Sequence, residues 1–352
     1  MIKTEKDIDY KRISLEEKVF WSPTSLKMYD ECPKQYFLYK IIKAERKAQP
    51  EIIRGNILHR MIENFWKVKD NRYVDTPSYK DEEAFAGVAR SRIAFVRKEA
   101  YEKRIIKEGY VDENLLCVLS SKRFIEETEE MARMIYRRYS KEEEKEKVKS
   151  GKRKAEITIE GYINFDNEKI FYKAKIDELL TPLIIRDHKS GYYLLSEEFI
   201  KKDLQFSFYA LSLWQALQKE DSLLKKDYME YANLDLESFL DLLEIQIHHI
   251  PSLYRLREKN LPLPIESQII STKRNVNHIK ELIYTLKQKE AQINSRNFHP
   301  TTNTYICSYK CGYKEICENF DTERIIKRIE EENLKRKKEE NSLFEYFDIR
   351  IG

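Results

Sequence analysis

The chain has 352 residues, of which 41% are apolar and 36% charged. That is enough to bury one large core or two small ones. With 65 basic against 61 acidic residues the formal charge is only +4, so any nucleic-acid surface must come from segregation of charge, not from an overall excess. No apolar run of about eighteen residues and no signal-peptide pattern occurs, which predicts a soluble protein of the cytoplasm (nucleoid or host cytoplasm) with no membrane partner. Five cysteines occur, and three of them, Cys307, Cys311 and Cys317, lie close together. In a cytosolic chain such a cluster reads as metal ligation before disulfide.

In chain order, residues 1–20 read as a loose polar arm. Ser22 followed by Pro23 gives an N-cap and a first-turn proline, and Leu26 and Tyr29 mark the apolar stripe of a short helix ending before Cys32-Pro33. In the next helix Ile57, Met61 and Phe65 recur every fourth residue, while His59 lies off that stripe with Glu63 one turn on. A lone helical histidine is more often structural than a ligand. Residues 80–150 read as a charged helical insertion, with Cys117 a core thiol among leucines.

The sheet is expected from Lys154. Ala155 to Ile163 alternates as a first strand, Asp166-Asn167 is a turn signal, Ile170 to Leu180 is a second strand, and Leu183 to His188 a third. Side chains on a strand alternate faces, so Asp187 and Lys189 share one face and His188 takes the other. If the second and third strands pair, Asp177 joins them. Two carboxylates and an ammonium then converge, a set that holds a hard divalent cation beside a group able to orient water. Phe199 to Leu217 reads as a helix with Gln205 and Tyr209 four apart on one face. Leu243 to Ile250 alternates as a further strand; His248 and His249 face opposite sides and receive no ligand role. Pro251 to Ser271 reads as loop and Asn275 to Ile293 as helix. A charged helix follows Asp321 and ends in a tail in which Leu343, Tyr346 and Phe347 are spaced like apolar anchors.

These segments together carry a resemblance. Ser-any-Leu with Cys32-Pro33, Gly55-to-His59, Asp177 then Asp187-any-Lys189, Gln205-to-Tyr209, and the cysteine triplet stand in the order of RecB-like and AddB-like nucleases. The chain thus resembles the iron–sulfur exonuclease branch of the PD-(D/E)XK superfamily. The resemblance implies an α/β fold: a restriction-endonuclease-like core with a mixed sheet flanked by helices, a helical insertion, and an iron–sulfur staple joining N- and C-terminal arms. It implies a polar arm (1–20), a nuclease domain (21–320, with the insertion at 80–150, the catalytic α/β core at 154–250 and the cysteine cluster at 305–318), and a charged helix and tail (321–352).

The implied chemistry is phosphodiester hydrolysis with Mg²⁺ or Mn²⁺. His59, Asp177, Asp187 and the carbonyl of His188 would be metal ligands; Asp177, Asp187 and Lys189 the catalytic set; Gln205 and Tyr209 substrate contacts. Cys32, Cys307, Cys311 and Cys317 would hold a [4Fe–4S] cluster. Relatives commonly place two residues between the first two cysteines of the triplet, whereas three stand here, and a four-cysteine zinc site would use the same ligands. The expected role is a DNA nuclease, most simply an exonuclease on single strands or ends in replication, recombination or repair. Leu343, Tyr346 and Phe347 are similar to a sliding-clamp-binding peptide, or else the tail packs on its own body. No Gly-x-x-x-x-Gly-Lys-[Ser/Thr] loop is present, so unwinding would require a helicase partner. The competing readings are a non-catalytic DNA-binding or helicase-partner subunit with a nuclease fold, and a spacer-processing nuclease of CRISPR adaptation.

Overall fold

Two compact units divide the chain: residues 1–47 with 285–352, and residues 48–284. The computed structural model describes residues 5–15, 20–69, 72–77, 79–141, 144, 153–165, 168–191, 196–220, 222–252, 260, 266–307 and 311–351, with backbone alone at 66–69, 72–77, 165, 168 and 339–351.

In the unit formed by residues 48–284, helix α1 (Pro50–Glu63) starts with proline at its first turn, where the missing N–H costs nothing. Helices α2 (Glu82–Lys103), α3 (Glu113–Ser120) and α4 (Lys122–Tyr139) follow, each opened by an Asp or Ser side chain that caps a backbone N–H. They share one core with α1: Ile57, Met61 and Phe65 pack with Phe85, Ile93, Leu116, Met131 and Ile135. The stretch expected as an insertion therefore completes the core over α1, and it also holds a small antiparallel ribbon, Ile105–Ile106 with Gly109–Tyr110. Cys117 is exposed, contrary to the expected core thiol. On α3 the helical period turns Leu115, Leu116 and Leu119 inward, which leaves Cys117 on the solvent side.

Five strands of this unit lie in sequence order in a mixed sheet: β1 (Lys154–Phe165), β2 (Glu168–Leu180), β3 (Ile184–Gly191), β4 (Glu244–Pro251) and β5 (Gln268–Thr272). Every neighbouring pair is antiparallel except β3 and β4, which run parallel from Ile184↔Glu244 to Gly191↔Pro251. A parallel neighbour demands a long crossover, and that crossover carries α5 (Leu204–Gln218). The helix expected from Phe199 is broken at Asp203. A short helix ends at Lys202, and the Asp203 side chain accepts the N–H of Gln205 at 2.9 Å to start α5. β5 occupies residues expected to be loop, because it pairs as an edge strand against β4. The expected turn at Asp166-Asn167 lies outside the described residues, as does most of the charged run 141–149.

On the face of β2 and β3 opposite Asp177 and Asp187 lies a buried ion network. Glu178 and Arg186 are register partners, 1% and 0% exposed, and so sit side by side away from water. Arg153 bonds Glu178, and Arg186 makes a two-pronged pair with Glu144 at 2.8 and 3.2 Å and donates to Gln246. Burial alone would raise the Glu178 carboxyl, but Arg153, His188 and Arg186 outweigh it and hold it well below the usual range.

In the other unit, the described part of the N-terminal arm is not loose. Ile8, Tyr10 and Ile13 are buried, and Arg328 of the helix Thr322–Ile351 lies 4.5 Å over the Tyr10 ring. Leu343, Tyr346 and Phe347 fall on that helix, but their side chains lie outside the described residues.

Removing one partner of a fully buried ion pair leaves the other charge stranded. Arg186→Met is therefore expected to destabilise the fold by about 3–5 kcal/mol in urea unfolding. Glu198→Ala, on an exposed helical pair, should change it by less than about 0.5 kcal/mol. Similar small losses in both would contradict this reading of the network.

Candidate functional site

The pairing of β2 with β3 is registered from Leu180↔Ile184 to Glu178↔Arg186 and stops there. One step further, a side chain replaces the ladder: the N–H of His188 donates to Asp177 Oδ2 at 2.9 Å. Strand alternation then sets the two faces. Arg186 and His188 enter the buried network, and Asp187 and Lys189 emerge beside Asp177.

Asp187 is 1% exposed and Lys189 Nζ stands 2.7 Å from its Oδ2. Gln205 Nε2 donates to Oδ1 at 2.8 Å, and Tyr209 O–H reaches the same oxygen at 3.3 Å. Lys189 in turn donates to Gln205 Oε1 at 3.1 Å. The pair on α5 thus holds the acid and the lysine together. On α1, His59 Nε2 lies 2.8 Å from the carbonyl oxygen of His188, and its Nδ1 lies 3.7 Å from Asp177 Oδ2. The structure therefore brings His59, Asp177, Asp187, the His188 carbonyl, Lys189, Gln205 and Tyr209 into one place.

The electrostatics follow from this enclosure. Burial, with the Asp177 charge beside it, pushes the Asp187 carboxyl up to about 6 against the pull of Lys189. Burial works against the Lys189 ammonium too, but Asp187 and Asp177 outweigh it and leave its pKa above the ordinary value. Lys189 is therefore a cation at neutral pH. Burial, together with His188 and Lys189, holds His59 down at about 4 despite Asp177, so this imidazole is neutral and has a lone pair to offer.

A model of the PD-(D/E)XK nuclease superfamily matches residues 20–318. The chain belongs to this superfamily. Among solved structures it is similar to a protein from Eubacterium rectale described as a "putative exonuclease", with 13% identity over 88% of this chain and 92% of that one and a TM-score of 0.44. It is also similar to a protein designated SSO0001, with 10% identity over 76% of this chain and 96% of that one and a TM-score of 0.32. Likenesses of this size carry no functional argument. No curated protein matches the chain.

PD-(D/E)XK nucleases are typically divalent-metal dependent. The donor set here, one neutral imidazole, two carboxylates and a backbone carbonyl, suits a hard cation of the Mg²⁺ or Mn²⁺ kind. Asp187 Oδ2 is buried and, although close to Lys189, makes no aligned hydrogen bond, so it retains acceptor capacity. Among the described residues no three such side chains yet close on a single ion. The residues fit the ion in kind: His59 Nε2, bonded to the His188 carbonyl, carries the proton, which leaves the lone pair on Nδ1, 3.7 Å from Asp177 Oδ2.

At Gly55, the first residue of the histidine motif, a Cβ would stand 3.3 Å from Ser190 Oγ, so α1 lies close against β3 one turn before His59. Two contributions escaped the sequence reading. Asp203 both caps α5 and adds negative charge near Lys189. His248 Nδ1 lies 3.2 Å from His188 Nδ1 and its Nε2 lies 2.7 Å from Ser267 Oγ, which fixes the ring whose peptide serves Asp177 and His59. The parallel register His188↔His248 would have shown this, but strand order is not written in the sequence. Glu63, expected beside His59, pairs instead with Arg60 at 2.7 Å.

Within the other unit the four cysteines Cys32, Cys307, Cys311 and Cys317 are all free thiols. Cys32 Sγ accepts N–H groups from Gln35 at 3.4 Å and Thr301 at 3.5 Å. Burial, with Cys32, Cys317 and Cys307 nearby, pushes the Cys311 thiol up to about 11, so the four are close enough to feel one another. Gly312 is required here, because a Cβ would meet the Lys47 carbonyl oxygen at 2.9 Å.

The Asp187 shift makes a pH prediction for the metal-free protein. Unfolded aspartate titrates near 3.9, so between that pH and about 6 the folded chain binds the extra proton. Its share of stability is thus full at the acid end and lost as pH rises. Asp187→Asn removes this loss. Its stability relative to the parent should improve by more than about 1 kcal/mol between pH 4 and pH 7 in urea unfolding. A difference independent of pH would refute the shift.

Proposed function

We propose that this member of the superfamily is a metal-dependent deoxyribonuclease, an exonuclease acting on single strands or DNA ends in replication, recombination or repair. The observation behind this is the buried Asp187 carboxylate, held by Lys189, Gln205 and Tyr209 beside Asp177 and His59. His59, Asp177, Asp187 and the His188 carbonyl would hold Mg²⁺ or Mn²⁺. Once bound, such a cation supplies positive charge against the charge developing on the phosphate. Lys189, an ammonium whose donors are directed by Asp187 and Gln205, orients the attacking water and adds to that stabilisation. Gln205 and Tyr209 hold this pair in place and offer amide and phenol donors to a strand's phosphates. No helix among the described residues is long and apolar enough to cross a membrane, and the reading places the enzyme with DNA in the cytoplasm. A helicase partner, and a sliding clamp bound through Leu343, Tyr346 and Phe347, remain part of the proposal.

The cysteine tetrad is proposed to carry a [4Fe–4S] cluster, in preference to zinc, on the strength of its four-cysteine pattern and the N–H donors to the Cys32 sulfur; among the described residues the thiols do not yet close on a single ion.

Lys189→Ala and Asp187→Ala should each lower cleavage of end-labelled DNA in Mg²⁺ or Mn²⁺ by about 10²-fold or more, while DNA binding in EDTA persists. The position of the label released by the parent protein reports polarity. Cleavage retained in either variant, in clean protein, would refute the mechanism. For the tetrad, anaerobically purified protein should contain iron and acid-labile sulfide, both lost in Cys311→Ser. Zinc in their place would overturn the cluster assignment.

A further inference from the structure

A cavity of about 490 Å³ lies wholly within the unit made of residues 1–47 and 285–352. None of the nuclease residues lines it, and its volume falls within the roughly 300–1,000 Å³ of pockets that take small ligands. Its polar lining is unusual. Lys40 and Lys43 have no carboxylate partner among the described residues; the contact given for Lys40 is the Tyr39 ring, 5.3 Å from Nζ. Burial already lowers the Lys40 pKa, which is what an unpaired, half-buried ammonium suffers without a counter-charge. Tyr36, also in the lining, is fully buried, hydroxyl included, so it adds only packed wall beneath the open space.

The backbone around the cavity is held in costly conformations. Lys40 sits on a π-type turn, Phe37–Ile41, a geometry that concentrates at functional sites. Lys43 and Arg296, both in the lining, have φ of 56° and 61°, the left-handed region that long side chains avoid. Of the carboxylates on the rim, Asp9 is paired with Arg12 at 3.1 Å. Phe20, 44% exposed, and the apolar side chains of Ile13 and Phe298 complete the wall.

Two free ammoniums and a part-exposed aromatic ring in one cavity match a ligand that is anionic at one end and flat and apolar at the other. We propose that the cavity binds a phosphorylated nucleotide unit, its phosphate on Lys40 and Lys43 and its base against Phe20. The unit is either a free nucleoside monophosphate or the terminal nucleotide of a strand. The inference does not depend on cleavage, and its test reads binding alone.

The full chain, in EDTA so that no strand is cut, would be titrated by calorimetry with adenosine monophosphate, inorganic phosphate, and a short oligonucleotide with a 5′-phosphate or a 5′-hydroxyl. Saturable binding of the nucleotide or the phosphorylated strand, weakened about tenfold or more in Lys40→Gln/Lys43→Gln, supports the site. Preference for the phosphorylated strand over the nucleotide identifies a strand-end anchor; the reverse identifies a free nucleotide as ligand. No binding of either ligand, binding equal for inorganic phosphate, or binding unchanged in the double-lysine variant overturns the proposal. Loss of binding here with cleavage intact leaves the nuclease reading standing; the converse leaves this one.

Discussion

A carboxylate almost without solvent, Asp187, sets the terms for the unit of residues 48–284. Burying it costs free energy that one ammonium, one amide and one phenol offset only in part, and its pKa therefore stands near 6. The same strand sends Arg186 to the opposite face, where its charge is matched by Glu144 and Glu178. One short strand thus separates a network of paired charges, which braces the sheet, from an incompletely compensated carboxylate, which is free to take a further positive charge. The first is architecture and the second is chemistry, and period-two alternation makes both from Arg186-Asp187-His188-Lys189.

The peptide of His188 joins them. Its N–H binds Asp177, its carbonyl meets His59, and its ring is held from behind by His248 and, through that, Ser267. The close approach of α1 permitted at Gly55 brings His59 to this peptide. The histidine motif on the helix and the acid motif on the strand are therefore two halves of one contact.

Much of the centre was legible because it rests on short-range rules. Alternation placed Asp187 and Lys189 together, helical spacing put Gln205 and Tyr209 on one face, and the strand pattern from Ala155 to His188 marked the three antiparallel strands. What could not be read was long-range. The partner of Arg186 lies 42 residues back at Glu144, and the partner of His188 lies on a strand reached only after a crossover. β5 was mistaken for loop because an edge strand needs no strong apolar pattern of its own. Cys117 was placed inside because a run of apolar neighbours masked the helical period that turns it out. The arm was read as loose because its polar sequence hides the three anchors Ile8, Tyr10 and Ile13.

A divalent cation shared with Asp177 and His59 would complete the unsatisfied charge at Asp187. Calorimetric titration of the full chain with Mn²⁺ near pH 6 should show one tightly bound ion per chain, with proton release because Asp187 is partly protonated beforehand. That binding should be lost in Asp187→Asn and weakened in His59→Ala. Absence of binding in the parent protein, or equal binding in Asp187→Asn, would contradict this assignment of the ion.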